Sequence, residues 1–598
     1  MKADERMKEV LRVYHAGAPS DAVLNVIKIA RESGIVTELI DLGVSLFPGE
    51  ELRSQVGISA GAGLWDIGSL GKLIELTEWK SIARSLGESA ASVLVLATAG
   101  NEMQSGIVRV LSGGRVSGVR SVSGADTVGF PATVSGLSGQ LAGHKYSRGR
   151  RDGLVMDVAA GAGIEIVAEL GKGGGIFISC PHGEARLFIW STVSVFDMEL
   201  PLSRESEFET AADEYIPAII FLRSTFGERC WHNPTIYADI VIDDPALTPR
   251  YGFIDFPGLL RRAREVGFHV TVAFIPWNHW RTQDVALRGF LDYREYFGIC
   301  AHGCDHIKNE FRTSDYAELL GRSYLAAERM DRHERRTGMR WEHVMVYPRE
   351  DYTLDALKAL ADSGRYLGVV NTACIPRDME TRVVRGADLL SPAQDAFFGF
   401  PLFKRHYWSE ISVFAMAAFL GKPTILVEHH DFFQDGFRAL DEFTAQLGAI
   451  CPGVQWRGLT DIACKTHAQR RAAGGALEVR FFTDRFEMEN PDADARMVRF
   501  RRRVPESVVI ESVALDGRQI SFEREGEFIC FEARLDGRGA MAVQVRRGAV
   551  EAPPAVARGW SYGAGVAARR LLSEVRDNWL SRSKMALSLA NKVMRNGA

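Results

Sequence analysis

Between Ala238 and Trp456 the chain repeats one pattern: a short apolar run, a polar or glycine-containing break, then a segment with helical spacing. The apolar runs are Ala238–Ile242, His269–Phe274, Phe297–Ala301, His343–Tyr347, Gly368–Val370, Thr424–Val427 and Val454–Trp456. Pro257–Gly267 and Ser314–Arg336 are the clearest helical segments between them. Strands of this length joined by helices pair in parallel and close on themselves, so the pattern predicts a distorted (β/α) barrel of about seven or eight strands. In such barrels the reactive groups collect at the C-terminal strand ends. The first run ends in "VIDDP", where Asp243 and Asp244 place two carboxylates side by side. Adjacent carboxylates repel and resist desolvation, so either they lie in a solvated turn or a cation lies nearby.

The chain of 598 residues is too long for one core. Residues 1–220 alternate strands and helices and predict a doubly wound α/β domain. Cys180 and His182, close together after a strand, resemble the amidotransferase-like fold but lack a nucleophile elbow, so the domain reads as non-catalytic. The Gly- and Ser-rich stretch Ser105–Gly153 reads as a mobile loop region, and Glu205–Gly227 as a linking helix. The barrel then occupies residues 221–470. Residues 476–548 alternate apolar and polar side chains around Asp-Gly turns, which predicts a small accessory β-sandwich, with the Arg499–Arg503 cluster on a solvated face. Residues 549–598 form a Pro/Gly linker and a basic amphipathic helix. Val566–Ala598 carries Leu572, Val575 and Trp579 among basic residues, so it would either lie on an anionic membrane or dock on the protein itself.

A net charge of −4 gives no basis for nucleic-acid binding. No run approaches the roughly 18 apolar residues of a spanning helix. The first segment, "MKADERMKEVLRVYHAG", has no apolar signal core, and Met7 offers an alternative start. The eight cysteines include no CxxC pair. Together these predict a cytoplasmic protein with reduced thiols and, through the basic helix, an option of membrane association.

Other strand ends add to the aspartates. His302 ends the third run, with His306 four residues on. Tyr347 and Arg349 follow the fourth, and Glu428, His429, His430 and Asp431 follow "TILV". One carboxylate and two imidazoles make a divalent-metal donor set that leaves positions open for water and substrate. A second carboxylate beside it can take a proton from that water. Two blander readings stand beside this one. The residues could form a solvated rim, or Cys300, His302, Cys304 and His306 could hold a structural zinc.

"VIDDP" followed by "HGCDH" resembles the first two motifs of the polysaccharide deacetylases, the NodB-homology domain of carbohydrate esterase family four. The resemblance is confined to about residues 235–470. It implies a hydrolase acting on carbon–nitrogen bonds other than peptide bonds, one that removes acetyl from an amino sugar of a polysaccharide or glycan; an O-acetyl ester is the related alternative. It further implies Asp243 as general base and Asp244, His302 and His306 as ligands of one divalent ion, zinc first, with cobalt, nickel or manganese as alternatives. "YPRED" would supply Arg349 to orient the base. "ILVEHHDFF" would supply the general acid, His429 in preference to His430. Trp277, Trp280 and Tyr347 are candidates to contact sugar, though the tryptophans could equally pack the barrel rim. Two rivals remain: a non-catalytic carbohydrate-binding or polysaccharide-assembly protein that keeps the barrel, and a metal-dependent amidase acting on a small amide.

Overall fold

The computed structural model describes residues 10–58, 61–159, 161, 163–171, 174–376, 383–472, 474–548, 550, 553 and 559–582. The chain divides into two compact units. One comprises Met1–His232 with Arg382–Leu390 and Gln469–Glu478; the other holds Asn233–Thr381, Ser391–Ala468 and Val479–Ala598.

The first unit is built on a nine-stranded mixed sheet. Its strands are β1 (Val10–His15), β2 (Val36–Asp41), β3 (Ala62–Asp66), β4 (Ser92–Ala97), β5 (Val116–Gly129), β6 (Lys145–Val158), β7 (Glu165–Leu170), β8 (Gly174–His182) and β9 (Ala185–Ser191), in the order β2-β1-β3-β4-β9-β8-β6-β5-β7. The β2-to-β9 half is parallel, as the alternation predicts, and β9, β8, β6 and β5 pair antiparallel. The helix Asp21–Glu32 shows why this half is legible. Ser20 caps it, and Val23, Val26, Ile29 and Ala30 form one buried stripe.

Two expectations fail in this unit. Much of Ser105–Gly153 is not loop: β5 and β6 form a 14-residue pair. Backbone pairing of two long strands needs no apolar side chains, so Gly- and Ser-rich segments can make it. The linking helix is in fact a core helix, Ala212–Phe226, buried along most of its length.

The second unit contains the barrel. Its strands are β10 (Tyr237–Asp243), β11 (Val270–Phe274), β12 (Phe297–His302), β13 (Glu342–Val346), β14 (Gly368–Asn371), β15 (Leu402–Tyr407) and β16 (Thr424–Glu428). They pair in parallel in that order, and β16–β10 and β10–β11 close the ring of seven. The expected last strand is only Gln455–Trp456, beside the start of β10. The sequence pattern missed β15. Val241, Ala273, Cys300, Val346, Val370 and Phe403 belong to one buried core inside this unit. Because side chains alternate along β10, Asp239, Val241 and Asp243 share a face.

The second unit also carries antiparallel β-pairs. Arg496–Arg503 lies against Phe528–Leu535, and Ala540–Arg547 pairs with both Arg485–Glu489 and Ile510–Leu515. Arg502, expected on a solvated face, is fully buried and paired with Asp484. The helix Trp560–Asn578 completes the described part of this unit. Residues 583–598, with much of the expected basic stripe, lie outside the described residues. No described helix is long and apolar enough to cross a membrane.

Candidate active site

The strand ends bring Asp243, Asp244, His302 and His306 together. Asp243 is the last residue of β10 and His302 the last of β12. Asp244 and His306 both take left-handed backbone conformations, with φ of 81° and 55°. Non-glycine residues held there cost of order 1–3 kcal/mol each and cluster where geometry serves function. His302 Nε2 and His306 Nε2 lie 3.5 and 3.1 Å from Asp244 Oδ1. The approach is close, yet Asp244 Oδ1 is buried without a hydrogen bond. The three donor atoms lie within 4.8 Å of one another. Such an arrangement fits a cation between them better than mutual hydrogen bonding. His302 Nδ1 sits 3.1 Å from the Val346 carbonyl, a contact in which Nδ1–H donates and the Nε2 lone pair is left for a ligand. Burial pushes the His306 imidazole down to about 3, and burial likewise lowers His302, so both are neutral donors near pH 7.

Asp243 stands apart from this donor group. Arg405 of β15 holds it with two parallel hydrogen bonds, Nη1 to Oδ1 and Nη2 to Oδ2, both 2.7 Å. The two side chains are 4% and 1% exposed, so the pair is dry. Burial pushes the Asp243 carboxyl up, but the charge and hydrogen bonds of Arg405 outweigh it and hold it below the usual carboxylate range.

This corrects the role expected of Arg349. It lies in the turn Pro348–Glu350 with φ of 56°, exposed and without an ion pair among the described residues, and Arg405 is the arginine that pairs with Asp243. Tyr347 is also displaced from its expected role. It is fully buried, stacked on Tyr352 at 4.6 Å and edge-on to Phe311, so it is core and not sugar contact. Trp277 is half-buried under the Arg329 guanidinium, which leaves Trp280, 62% exposed, as the tryptophan open to a ligand.

The structure also separates the two histidines after β16. His429 is half-buried and stacks on Tyr407. His430 turns to Phe253 and to Asp577, its Nε2 3.4 Å from Oδ1.

The loop carrying His306 is shaped by Glu310, which sequence reasoning missed. Its carboxylate accepts the backbone N–H groups of Cys304, Asp305 and His306 at 3.2, 2.6 and 3.1 Å. Gly303 makes the approach feasible, because a Cβ there would meet Pro348 at 2.4 Å and Glu310 at 2.6 Å. Cys304, Asp305 and Glu310 also lie close enough to bind an ion. Their oxygens are already used, however: Asp305 is held by Arg329 at 2.5 Å and by the Tyr562 hydroxyl at 2.6 Å. The cysteine–histidine zinc alternative is not formed as a unit, since His302 and His306 face Asp244 while Cys304 groups with Asp305 and Glu310.

In the first unit, Cys180 is fully buried and burial pushes its thiol up to about 11, while His182 Nε2 contacts the Ala83 carbonyl at 2.6 Å. Neither is poised as a nucleophile or base.

No family model matches the chain, and no curated protein matches it. Among solved structures it resembles several carbohydrate deacetylases. Agd3, titled a novel carbohydrate deacetylase, is 11% identical over 91% of this chain and 99% of its own, with a TM-score of 0.44. A family 4 carbohydrate esterase from Streptomyces lividans, in complex with acetate, is 13% identical over 38% of this chain and 92% of its own, at 0.22. The peptidoglycan deacetylase PdaC from Bacillus subtilis is 13% identical over 38% and 90%, at 0.23. At these scores the overlap establishes neither an activity nor a substrate for this chain.

Proposed function

We propose that the barrel is a metal-dependent deacetylase that hydrolyses the N-acetyl amide, or the related O-acetyl ester, of a polysaccharide or amino-sugar glycan. The observation that carries this reading is the different placement of the two adjacent aspartates. Asp244 joins two imidazoles around one point, and Asp243 is held off that point by Arg405. Asp244, His302 and His306 would hold a single divalent ion, zinc being the first choice for two imidazoles and a carboxylate, with cobalt, nickel or manganese as alternatives. Such an ion, when bound, makes water a stronger acid and polarises a carbonyl oxygen.

The chain's own groups supply the proton transfers. Asp243, ionised at neutral pH, takes a proton from the attacking water as general base. Arg405 fixes its orientation and keeps it charged. His429 gives a proton to the departing amine. Trp280 offers an exposed ring on which a sugar face can stack. The first unit has no catalytic part in this scheme.

Metal analysis of the purified protein, together with acetate release from a panel of N-acetylated glycans and sugars, tests the proposal. Stoichiometric metal with no acetate from any glycan favours a carbohydrate-binding or assembly protein, and release from small amides alone favours an amidase. We also retain peripheral membrane contact as a proposal, since Leu571, Leu572 and Trp579 stay exposed on and just after the helix Trp560–Asn578.

A further inference from the structure

The helix Trp560–Asn578 meets the site loops of its own unit through polar contacts along one face. The Tyr562 hydroxyl donates to Asp305, and Arg281 donates twice to Glu574, at 2.6 and 2.8 Å. The Tyr251 hydroxyl donates to Asp577 at 2.8 Å, and the Gly252 N–H to Asn578 at 2.7 Å. In the middle of this face stands Arg570, 7% exposed, with Nη2 3.4 Å from His306 Nδ1.

Arg570 has no carboxylate within 4 Å among the described residues, and its Nε is buried without a hydrogen bond. A guanidinium stays charged at all ordinary pH, so burying one without an anion is costly unless something else supplies that anion. The nearby carboxylates are committed. Asp243 belongs to Arg405, and Asp577 is shared by Arg576, Tyr251 and His430. Asp244 feels the charge of Arg570 but faces the two imidazoles.

We propose that Arg570 determines specificity by reading an oxyanion, carboxylate or phosphate, that the substrate carries beside its acetylated nitrogen. The planar fork of arginine suits either group, and the dry surroundings strengthen the pairing. The substrate class is then an anionic acetamido sugar: a glycan with uronate or another acidic unit next to the acetylated one, or a phosphate-linked amino sugar. This rests on the deacetylase reading of the barrel site.

Three N-acetylated probes separate the cases: a neutral chitotetraose, a uronate-bearing hyaluronan tetrasaccharide, and UDP-N-acetylglucosamine. For the full chain and its Arg570→Gln and Arg570→Lys variants, calorimetry gives Kd, acetate release gives kcat and KM, and elemental analysis gives metal content. The wild type should bind one anionic probe at least tenfold more tightly than chitotetraose. Arg570→Gln should erase that preference through Kd and KM, bringing the anionic probes down to the level of the neutral one, and Arg570→Lys should keep part of it. The anionic probe that wins identifies carboxylate or phosphate. The proposal is overturned if the wild type shows no anionic preference, including no measurable binding, or if Arg570→Gln weakens all probes equally or sheds metal. An anionic binding preference without acetate release would sustain the role of Arg570 and reject the deacetylase reading. Acetate release without such a preference would do the reverse.

Discussion

Replacing Asp243 by asparagine separates its two tasks, proton acceptance and ion pairing. The side chain keeps its shape, and the donor group Asp244, His302 and His306 is untouched, so metal content should remain stoichiometric. The fold should weaken measurably. The substituted amide can still accept one hydrogen bond from Arg405, but its NH2 group would face the second guanidinium N–H, donor against donor, in a dry pocket. Breaking a buried pair by losing one partner costs about 3–5 kcal/mol; one surviving hydrogen bond places Asp243→Asn near the low end. Turnover should fall roughly 10²–10⁴-fold, because an amide cannot take the proton. That loss corresponds to about 3–5 kcal/mol of barrier. Urea unfolding, elemental analysis and single-turnover acetate release measure the three effects on one preparation. Removing the guanidinium as well, with Asp243→Asn and Arg405→Met together, should recover part of the stability, by roughly 0.5–3 kcal/mol of coupling, but none of the turnover. Full activity in Asp243→Asn refutes the base assignment. Loss of metal in Asp243→Asn with retention in Asp244→Asn shows that the two roles are exchanged.

Other outcomes follow from the same geometry. Asp244→Ala and His306→Ala should each lose most bound metal and all activity with the first unit still folded; full occupancy by elemental analysis would reject the ligand set. Glu310→Ala, which strips the acceptor from three backbone N–H groups around His306, should weaken metal affinity about 10–100-fold in a chelator competition, whereas an unchanged affinity would make the loop self-supporting. For the metal-free protein, the folded His306 value of about 3 lies below the unfolded value of about 6.5, so the unfolded chain binds more protons between them. Stability should therefore decline as pH falls from about 6.5 towards 3, and His306→Gln should flatten that slope in urea titrations. Replacing Leu571, Leu572 and Trp579 by serine should abolish sedimentation with anionic vesicles; undiminished sedimentation, or none in the wild type, rejects membrane contact through that face.

The aspartates and histidines were legible because they end or closely follow strands that are largely apolar. β15 was not legible for the opposite reason. Leu402–Tyr407 follows a proline and reads Leu-Phe-Lys-Arg-His-Tyr, so polar residues fill the half of the strand that meets Asp243. With that strand unseen, the motif resemblance of "YPRED" points to Arg349 as the guanidinium for Asp243. Glu310 had a signal, an acid four residues past His306, but nothing in one sequence distinguishes a carboxylate that gathers backbone N–H groups from a solvated one. The β5–β6 pair is not legible in the sequence, because glycine and serine carry no period-two apolar pattern. Arg570 and Asp577 depend on which face of a distant helix docks, and amphipathic spacing offers a membrane and the protein's own loops as equal destinations.

The contact between Tyr251 and Asp577 spans 326 residues of chain. At about 5–20 residues per second, roughly 15–65 s of synthesis separate the two partners. During that interval β10 to β16 can close and gather the aspartates and imidazoles, yet the wall bearing Arg570 does not exist. A nascent chain at that stage would have the hydrolytic groups without the cation that we assign to substrate choice. Interrupted synthesis or proteolysis before Trp560 would accordingly leave a barrel with altered selectivity, and the distance along the chain acts as a timer on when the protein acquires its own discrimination.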